Sequence, residues 1–531
     1  MSRAGFASVA LGVAALTLTA RVFGFGRSLV FSKTVGDTCL GDAYNAANLL
    51  PNVLFEIVAG GVLAGVVIPV VARHVGADRG RETSETTSAL ITWTLLVLTP
   101  AALVAWLGAN RYAAAFSTGS CPDGAATLAA LLVMFVPQIW FYGLAVVSAG
   151  ILQAHHRFVA AAAGPLLSSI VVIAAYLAYG QLAAPAASTD LTLLTDQALR
   201  VLGWGTTLGV VALALTTLIP LSRLGLRLRP RLRFAAGDTD VIVRIAAAGL
   251  AGLVMQQLSL LLINWAAKQT GDPGALTRFS WANAIYLLPF AVLVAPLLQM
   301  VFPRLSAAAE RGSDAVSEVL AGIGPSIVVL ASLGAALLVA TAVPVARIFV
   351  LGPGSGRTEA LAWPIAAFAP AVVGFALLGL ASRALLAQHL ARAAGSATVV
   401  AWGVVIVGVL VLRLLVPPAW VVPSLSAAVS VGMVAGAITG WVLLRGIDPR
   451  PAGLARPLLI CVPAGAVSGL LVAWLFRSFV DAGLVGAVLG AFGSAAAGTV
   501  LFVGLLLLVD RRLLGQVWAL RTRTVSSTEV S

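Results

Sequence analysis

Residues 135–157, FVPQIWFYGLAVVSAGILQAHHR, are apolar almost throughout and stop at a basic cluster. About 20 apolar residues are what an α-helix needs to cross the hydrocarbon of a membrane. The same layout returns in residues 368–389, FAPAVVGFALLGLASRALLAQH, where Phe368-Ala-Pro370 opens the run and Gln388-His389 closes it. A second pair echoes in the same way. Leu49-Leu-Pro51 leads through an apolar run to Pro69 and Arg79-Gly80, as Leu287-Leu-Pro289 leads to Pro303 and Arg311-Gly312. The proline spacing in that pair differs by about one helical turn. Internal similarity of this kind predicts two halves of six spans, related by a parallel repeat.

The rest of the chain extends this reading. Of 531 residues, 60% are hydrophobic and 10% charged; a soluble domain carries about a quarter charged residues. Apolar runs near the crossing length recur to about residue 510 and give about fourteen spans. The expected fold is an all-α integral membrane protein: an N-terminal lobe in 1–233, a C-terminal lobe in 234–446, and two further helices with a basic tail in 447–531.

The net charge is +13 and falls mostly in short loops, so it orients a membrane protein and does not mark a nucleic-acid surface. The arginine-rich set includes Arg73 and Arg81, the stretch Arg223 to Arg233, Arg304, Arg383, Arg445 and the tail from Arg511. The positive-inside rule places these loops and both termini in the cytoplasm, with the chain in a bacterial plasma membrane. Lys33 and Lys268 are the only lysines, a bias of high-GC, actinobacterial-type coding. No HExxH motif, metal-spaced Cys/His cluster, nucleophile–base pair or Walker loop is present, so an enzyme, a cofactor and a metal are not expected. Cys39 and Cys121 fall in successive external loops and either pair or stay apart, while Cys461 lies inside a span.

Charge inside hydrocarbon is costly, so each retained polar group asks for a reason. Arg21 and Arg27 flank Phe23-Gly24-Phe25-Gly26, where glycines would let the first helix bend. Asp42, Asn45, Asn48, Asn52 and Glu56 form a polar stripe on the second helix, with Pro51 inside it as an expected kink. Cavity arginines suit phosphate, because the guanidinium fork donates paired hydrogen bonds. They equally suit pairing with Asp42 and Glu56, a structural role. Lys268 and Arg278 are weaker binding candidates, expected near the outer surface.

The stretches Ala20-Arg21-Val-Phe-Gly24-Phe-Gly-Arg27, Gly41-Asp42-Ala-Tyr44, Asn48-Leu-Leu-Pro51-Asn52 and Ile68-Pro69-Val70 resemble the N-terminal signature of the MurJ/MviN lipid II flippases. The resemblance continues through Val136-Pro137-Gln138, Gly150-Ile-Leu-Gln153, Arg157-Phe158 and Phe302-Pro303-Arg304-Leu305-Ser306. That family shares a superfamily, MOP, with the MATE drug antiporters. The resemblance implies two six-helix lobes, two extra helices forming a groove for a lipid tail, and alternating-access transport of a polyprenyl-pyrophosphate-linked peptidoglycan precursor to the outer leaflet. It implies lipid II and membrane lipid as partners, with cell-wall synthesis proteins as further ones. It also implies that Arg21, Arg27 and Asp42 are cavity residues, the arginines binding pyrophosphate; Asn45, Asn52 and Glu56 are substrate-binding candidates from the polar stripe itself. The chain departs from the pattern where further arginines are expected: Phe55, Glu56 and Ala284 stand there, and Gly60 replaces a glutamate. Two other functions remain open on sequence: an ion-coupled MATE-like exporter, and a transport-inactive scaffold for cell-wall enzymes.

Overall fold

A computed structural model describes residues 3–57, 64–77, 80–117, 120–234, 238–446 and 453–516. The chain divides into two compact units: residues 1–257 with 271–277 and 352–355, and the remainder. The expected cuts at 233 and 446 divide the chain differently. The helix that starts after the basic stretch runs unbroken across 257, and the last two helices belong to the second unit.

Among the described residues the first unit is built from α1 (Arg3–Thr34), α2 (Cys39–Phe55), α3 (Ala64–Gly76), α4 (Gly80–Leu107), α5 (Ala109–Phe116), α6 (Gly124–Phe135), α7 (Gln138–Ala154), α8 (Phe158–Leu182), α9 (Asp196–Ser222) and the start of α10 (Asp238–Lys268). The second takes most of α11 (Ala275–Pro289), then α12 (Ala295–Ala309), α13 (Ser313–Val350), α14 (Thr358–Ala367), α15 (Ala369–Ala387), α16 (Ala391–Leu415), α17 (Val421–Arg445), α18 (Ala455–Leu475) and α19 (Leu484–Val509). Among the described residues, eleven helices or helix pairs are long and apolar enough to cross a membrane. The other three expected crossings fall on α1, on α10, and on α2 with α3, which flank residues 58–63 outside the described set.

The repeat seen in sequence recurs in the backbone. α6 breaks into α7 between Phe135 and Gln138, and α14 breaks into α15 at Phe368. Proline cannot donate to the helical ladder, so Phe-Val-Pro and Phe-Ala-Pro interrupt it at the same place in each half. The closing turns match as well, since His156 and His389 both adopt left-handed backbone, at φ 60° and 61°. Each Leu-Leu-Pro motif is followed by π-helical turns, at Glu56–Ile57 and at Phe290–Val294. α1, by contrast, runs straight through Gly24 and Gly26 without a break, and α2 continues past Pro51.

Lipid-facing helices invert the soluble pattern. The α4 positions Trp93, Leu96, Val97, Pro100, Leu103, Val104 and Leu107, at helical spacing, are all exposed. Interiors use small residues so that backbones approach, as where Gly432 and Gly436 of α17 abut Ala401 and Ala397 of α16. α18 and α19 lie along α13, the longest helix.

Cys39 and Cys121 form a disulfide with Cα atoms 5.8 Å apart, tying the start of α2 to the turn before α6. Cys461 is free and buried. Titration of the denatured, unreduced protein is expected to find one thiol, and three after reduction; three without reduction would show the bond is not formed.

Candidate binding site

The first unit's polar residues separate into a buried set and an open set. In the first turn of α2, Asp42 is 1% exposed and both of its carboxylate oxygens are engaged. Oδ2 accepts from the Gly274 N–H at 3.0 Å; Oδ1 accepts from the Thr277 N–H and hydroxyl, each at 2.9 Å. Gly274 to Thr277 is the first turn of α11, whose N–H groups have no partner inside the helix. A carboxylate there satisfies them and meets the positive end of the helix dipole. Asn45 extends the tie, donating from Nδ2 to the Gly41 carbonyl and the Thr277 hydroxyl.

A similar clasp forms one turn earlier. Asp37, buried between α1 and α2, accepts from the Ser355 hydroxyl and N–H. Backbones pass so close here that glycine is required. A Cβ on Gly274, itself at φ +83°, would lie 2.2 Å from the Asp37 carbonyl, and one on Gly36 would meet Pro353. Sequence gave no hint of Asp37, Thr277 or Ser355, because their partners lie more than two hundred residues away in the chain. Lys268 and Arg278 do not join the open polar set. Both are buried, at 7% and 1% exposed, and both interact with protein groups.

The other polar residues stay open. Arg21, Arg27 and Glu56 are exposed, and Asn48 and Asn52 half-buried. Among the described residues no ion pair joins either arginine to Asp42 or Glu56. Arg27 is set by what lies one turn on. Phe31 packs on the rings of Tyr44 and Tyr176, 5.0 and 5.2 Å between centroids. The Tyr44 hydroxyl bonds those of Tyr176 (2.8 Å) and Thr206 (3.0 Å), knitting α1, α2, α8 and α9 together. Arg27 lies near enough to act electrostatically on Tyr44, Tyr142 and Tyr176. Tyr142 in turn packs on Phe55 beside the π turn that carries Glu56, with ring centroids 4.7 Å apart. Asn48 Oδ1 is buried and unbonded. The result is a polar face with two free guanidiniums on a rigid aromatic base.

The second unit holds a cavity of about 960 Å³ between α13, α15, α17 and α18. Its walls are apolar, among them Val339, Leu377, Ile438 and Leu470, while Gln388, Arg445 and Arg456 contribute polar lining. Arg456 is fixed by Asp510 at 2.8 Å. Among the described residues no cluster of His, Cys, Asp or Glu is arranged to hold a metal.

Long apolar helices in two repeated halves, with charge retained inside them, define a multi-pass membrane protein. Solved structures agree on the fold. The chain superposes on "Lipid II flippase MurJ, inward closed conformation" with a TM-score of 0.71, 14% identity and coverage of 93% of this chain and 98% of that one. It superposes on an inward-facing MATE multidrug transporter of the MOP superfamily at 0.66, 13% identity, covering 82% and 97%. The family model described as "Lipid II flippase MurJ" matches residues 31–490, and the chain belongs to that family. Curated relatives include the probable lipid II flippase MurJ of Rhizobium meliloti (strain 1021), 28% identical over 57% of this chain, and the lipid II flippase MurJ of Burkholderia cenocepacia, 27% identical over 56%. The chain spans about half the length of these relatives, 55% and 56%.

The split between buried and open groups yields a stability contrast. Asp42→Ala strands two N–H groups and a hydroxyl and is expected to lower stability by about 2–3 kcal/mol, seen as a lower melting temperature in detergent. Arg21→Ala and Arg27→Ala should melt close to wild type; an arginine variant as unstable as Asp42→Ala would contradict the assignment.

Proposed function

We propose that this chain is a flippase that moves a polyprenyl-pyrophosphate-linked peptidoglycan precursor, lipid II, from the cytoplasmic to the outer leaflet by alternating access. The observation that carries this is the pair of unpaired, exposed guanidiniums, Arg21 and Arg27, on a helix that crosses the membrane. An arginine in such a place, without a carboxylate, is stabilised by an anionic ligand that accepts its forked donors. Arg21 and Arg27 lie six residues apart, about 9 Å along the α1 axis at roughly 1.5 Å of rise per residue, and both side chains are long enough to reach toward one pyrophosphate. Asn52 and Glu56 on the same unit would contact the sugar–peptide part. The structural ties of Asp42 and Asn45 favour a holding role for both over direct contact. The burial of Lys268 and Arg278 likewise favours structure over binding.

The apolar cavity of the second unit suits a polyprenyl chain, which needs hydrocarbon walls and no hydrogen bonds. Its polar lining from Arg445 and Gln388 would meet the interface. Direction follows from charge, since an inside-negative potential favours outward movement of an anion by about 2.3 kcal/mol per charge per 100 mV. The family names of the relatives support this reading over the MATE-like one. A cation exporter would use open carboxylates, and on this face Glu56 is the open one among the described residues. The basic loops support a bacterial plasma-membrane location with both termini cytoplasmic.

Arg21→Ala or Arg27→Ala should abolish rescue of a flippase-depleted bacterium while protein remains in the membrane, and lipid II should accumulate on the cytoplasmic leaflet. Lysine at either position should restore less than its charge suggests, since an ammonium lacks the bidentate fork. Full rescue by stable alanine variants would refute the site. Orientation is checked by single-cysteine labelling: positions in 223–233 should resist impermeant reagents in intact cells and Asp190→Cys should react, and the reverse pattern would invert the topology.

A further inference from the structure

The basic stretch between α9 and α10 reads in sequence as a linker, yet residues 224–234 form an extended strap clamped along α4. Backbone N–H groups of Arg229 and Arg231 donate to Ser88 Oγ and Thr92 Oγ1, both at 3.1 Å. The Trp93 indole N–H donates to the Leu232 carbonyl at 2.9 Å, and the Arg231 guanidinium reaches Glu85 at 2.9 Å. Leu224, Leu226 and Phe234 pack into the apolar cluster of α3, α4 and α7. The side chains of Arg227, Arg229, Arg231 and Arg233 are all exposed.

The strap walls a cleft of about 950 Å³ with the ends of α3, α4 and α7. Four arginines, Arg81, Arg227, Arg229 and Arg231, line it against one carboxylate, Glu85, leaving a surplus of three positive charges. Arg81 and Arg231 share Glu85, whereas Arg227 and Arg229 are exposed and meet no carboxylate among the described residues. His155 also lines the cleft, and burial beside Arg157 lowers its pKa, so the charge comes from guanidinium. Glu82 is occupied elsewhere, 3.0 Å from His74.

The surface beside the cleft is not aqueous in character. Leu228 and Leu232 of the strap are 44% and 57% exposed between their arginines. Trp93, bonded to the strap, begins the exposed apolar stripe of α4 that runs to Leu107, about 20 Å along the helix at roughly 1.5 Å per residue. That exceeds the ~15 Å of hydrocarbon in one leaflet. Guanidiniums at the end of an apolar stripe, with a tryptophan at the junction, match the phosphate, acyl chain and interface of a phospholipid.

We propose that the strap cleft is a binding site for an anionic phospholipid, with Arg227 and Arg229 on its phosphate and its acyl chain along the Trp93 to Leu107 face of α4. The lipid would hold the strap at the membrane surface. A free phosphate would use the same arginines but gain nothing from Leu228, Leu232 or α4, and a zwitterionic lipid would lose the charge term.

The test uses the full chain in detergent, with lipid adducts counted by native mass spectrometry. Phosphatidylglycerol should be retained several-fold better than phosphatidylcholine. R227Q/R229Q should weaken phosphatidylglycerol retention on the order of tenfold, with the melting temperature unchanged because both side chains are exposed. L228S/L232S should weaken it too while leaving inorganic phosphate binding as it was. Equal retention of the two lipids would overturn the proposal, as would retention untouched by R227Q/R229Q, or displacement of phosphatidylglycerol by equimolar inorganic phosphate. Should the double variant melt early, R227Q alone supplies the same comparison.

Discussion

A peptide group in hydrocarbon has no water to bond, so a chain that crosses a bilayer must satisfy every N–H and C=O internally. All else in this molecule follows from that constraint. It makes the crossings helical whatever the side chains, and it makes every departure from regular helix an exception that neighbours must support. The departures are few and repeat in kind: breaks at Phe135–Gln138 and Phe368, left-handed turns at His156 and His389, and π turns after each Leu-Leu-Pro. π turns leave a carbonyl short of its usual partner and concentrate at functional positions. Glu56 stands on one of them, beside Phe55, whose ring packs on Tyr142.

The same absence of water sorts the charges. Asp42 is tolerated under complete burial because a helix start supplies two N–H donors and a hydroxyl, a shell that replaces hydration. Arg21 and Arg27 have no such shell and remain exposed. One turn from Arg27, Phe31 and the Tyr44, Tyr176 and Thr206 hydroxyls lock α1 against α2 and α8. A rigid base under a free guanidinium lowers the entropy lost when a ligand is held.

The fold was legible because its signals are local. Apolar length, Phe-X-Pro breaks and arginine-rich ends each act within a span, and the two halves announce themselves by repeating them. The site was legible only in part. Arg21 and Arg27 stand out in the sequence because charge in a span is costly, and both are exposed in the fold. That Asp42 is a helix cap does not follow, because its partners at Gly274 and Thr277 carry no motif and are 232 and 235 residues distant. A Cβ at Gly24 or Gly26 would meet nothing within 4 Å, and α1 continues through both as one helix. The strap was likewise hidden, since Arg-Leu alternation reads as a linker until the Ser88 and Thr92 hydroxyls that bind its backbone are known.

The two halves therefore share a backbone plan but not a charge plan. The breaks and turns are copied because chain geometry in lipid permits few alternatives. Charged side chains are copied only where each half must do the same work. In the first unit two arginines stand open on α1. In the second the cations Lys268 and Arg278 are buried, and Ala284 stands where the family resemblance calls for an arginine. The open surface of the second unit is instead an apolar cavity lined by α13, α15, α17 and α18. A symmetrical ligand would leave no reason for this divergence, because equal halves would bind it equally. The lipid of the proposed function, charged at one end and hydrocarbon at the other, calls for unequal surfaces, and open arginines in one unit with an apolar cavity in the other are the surfaces it would use.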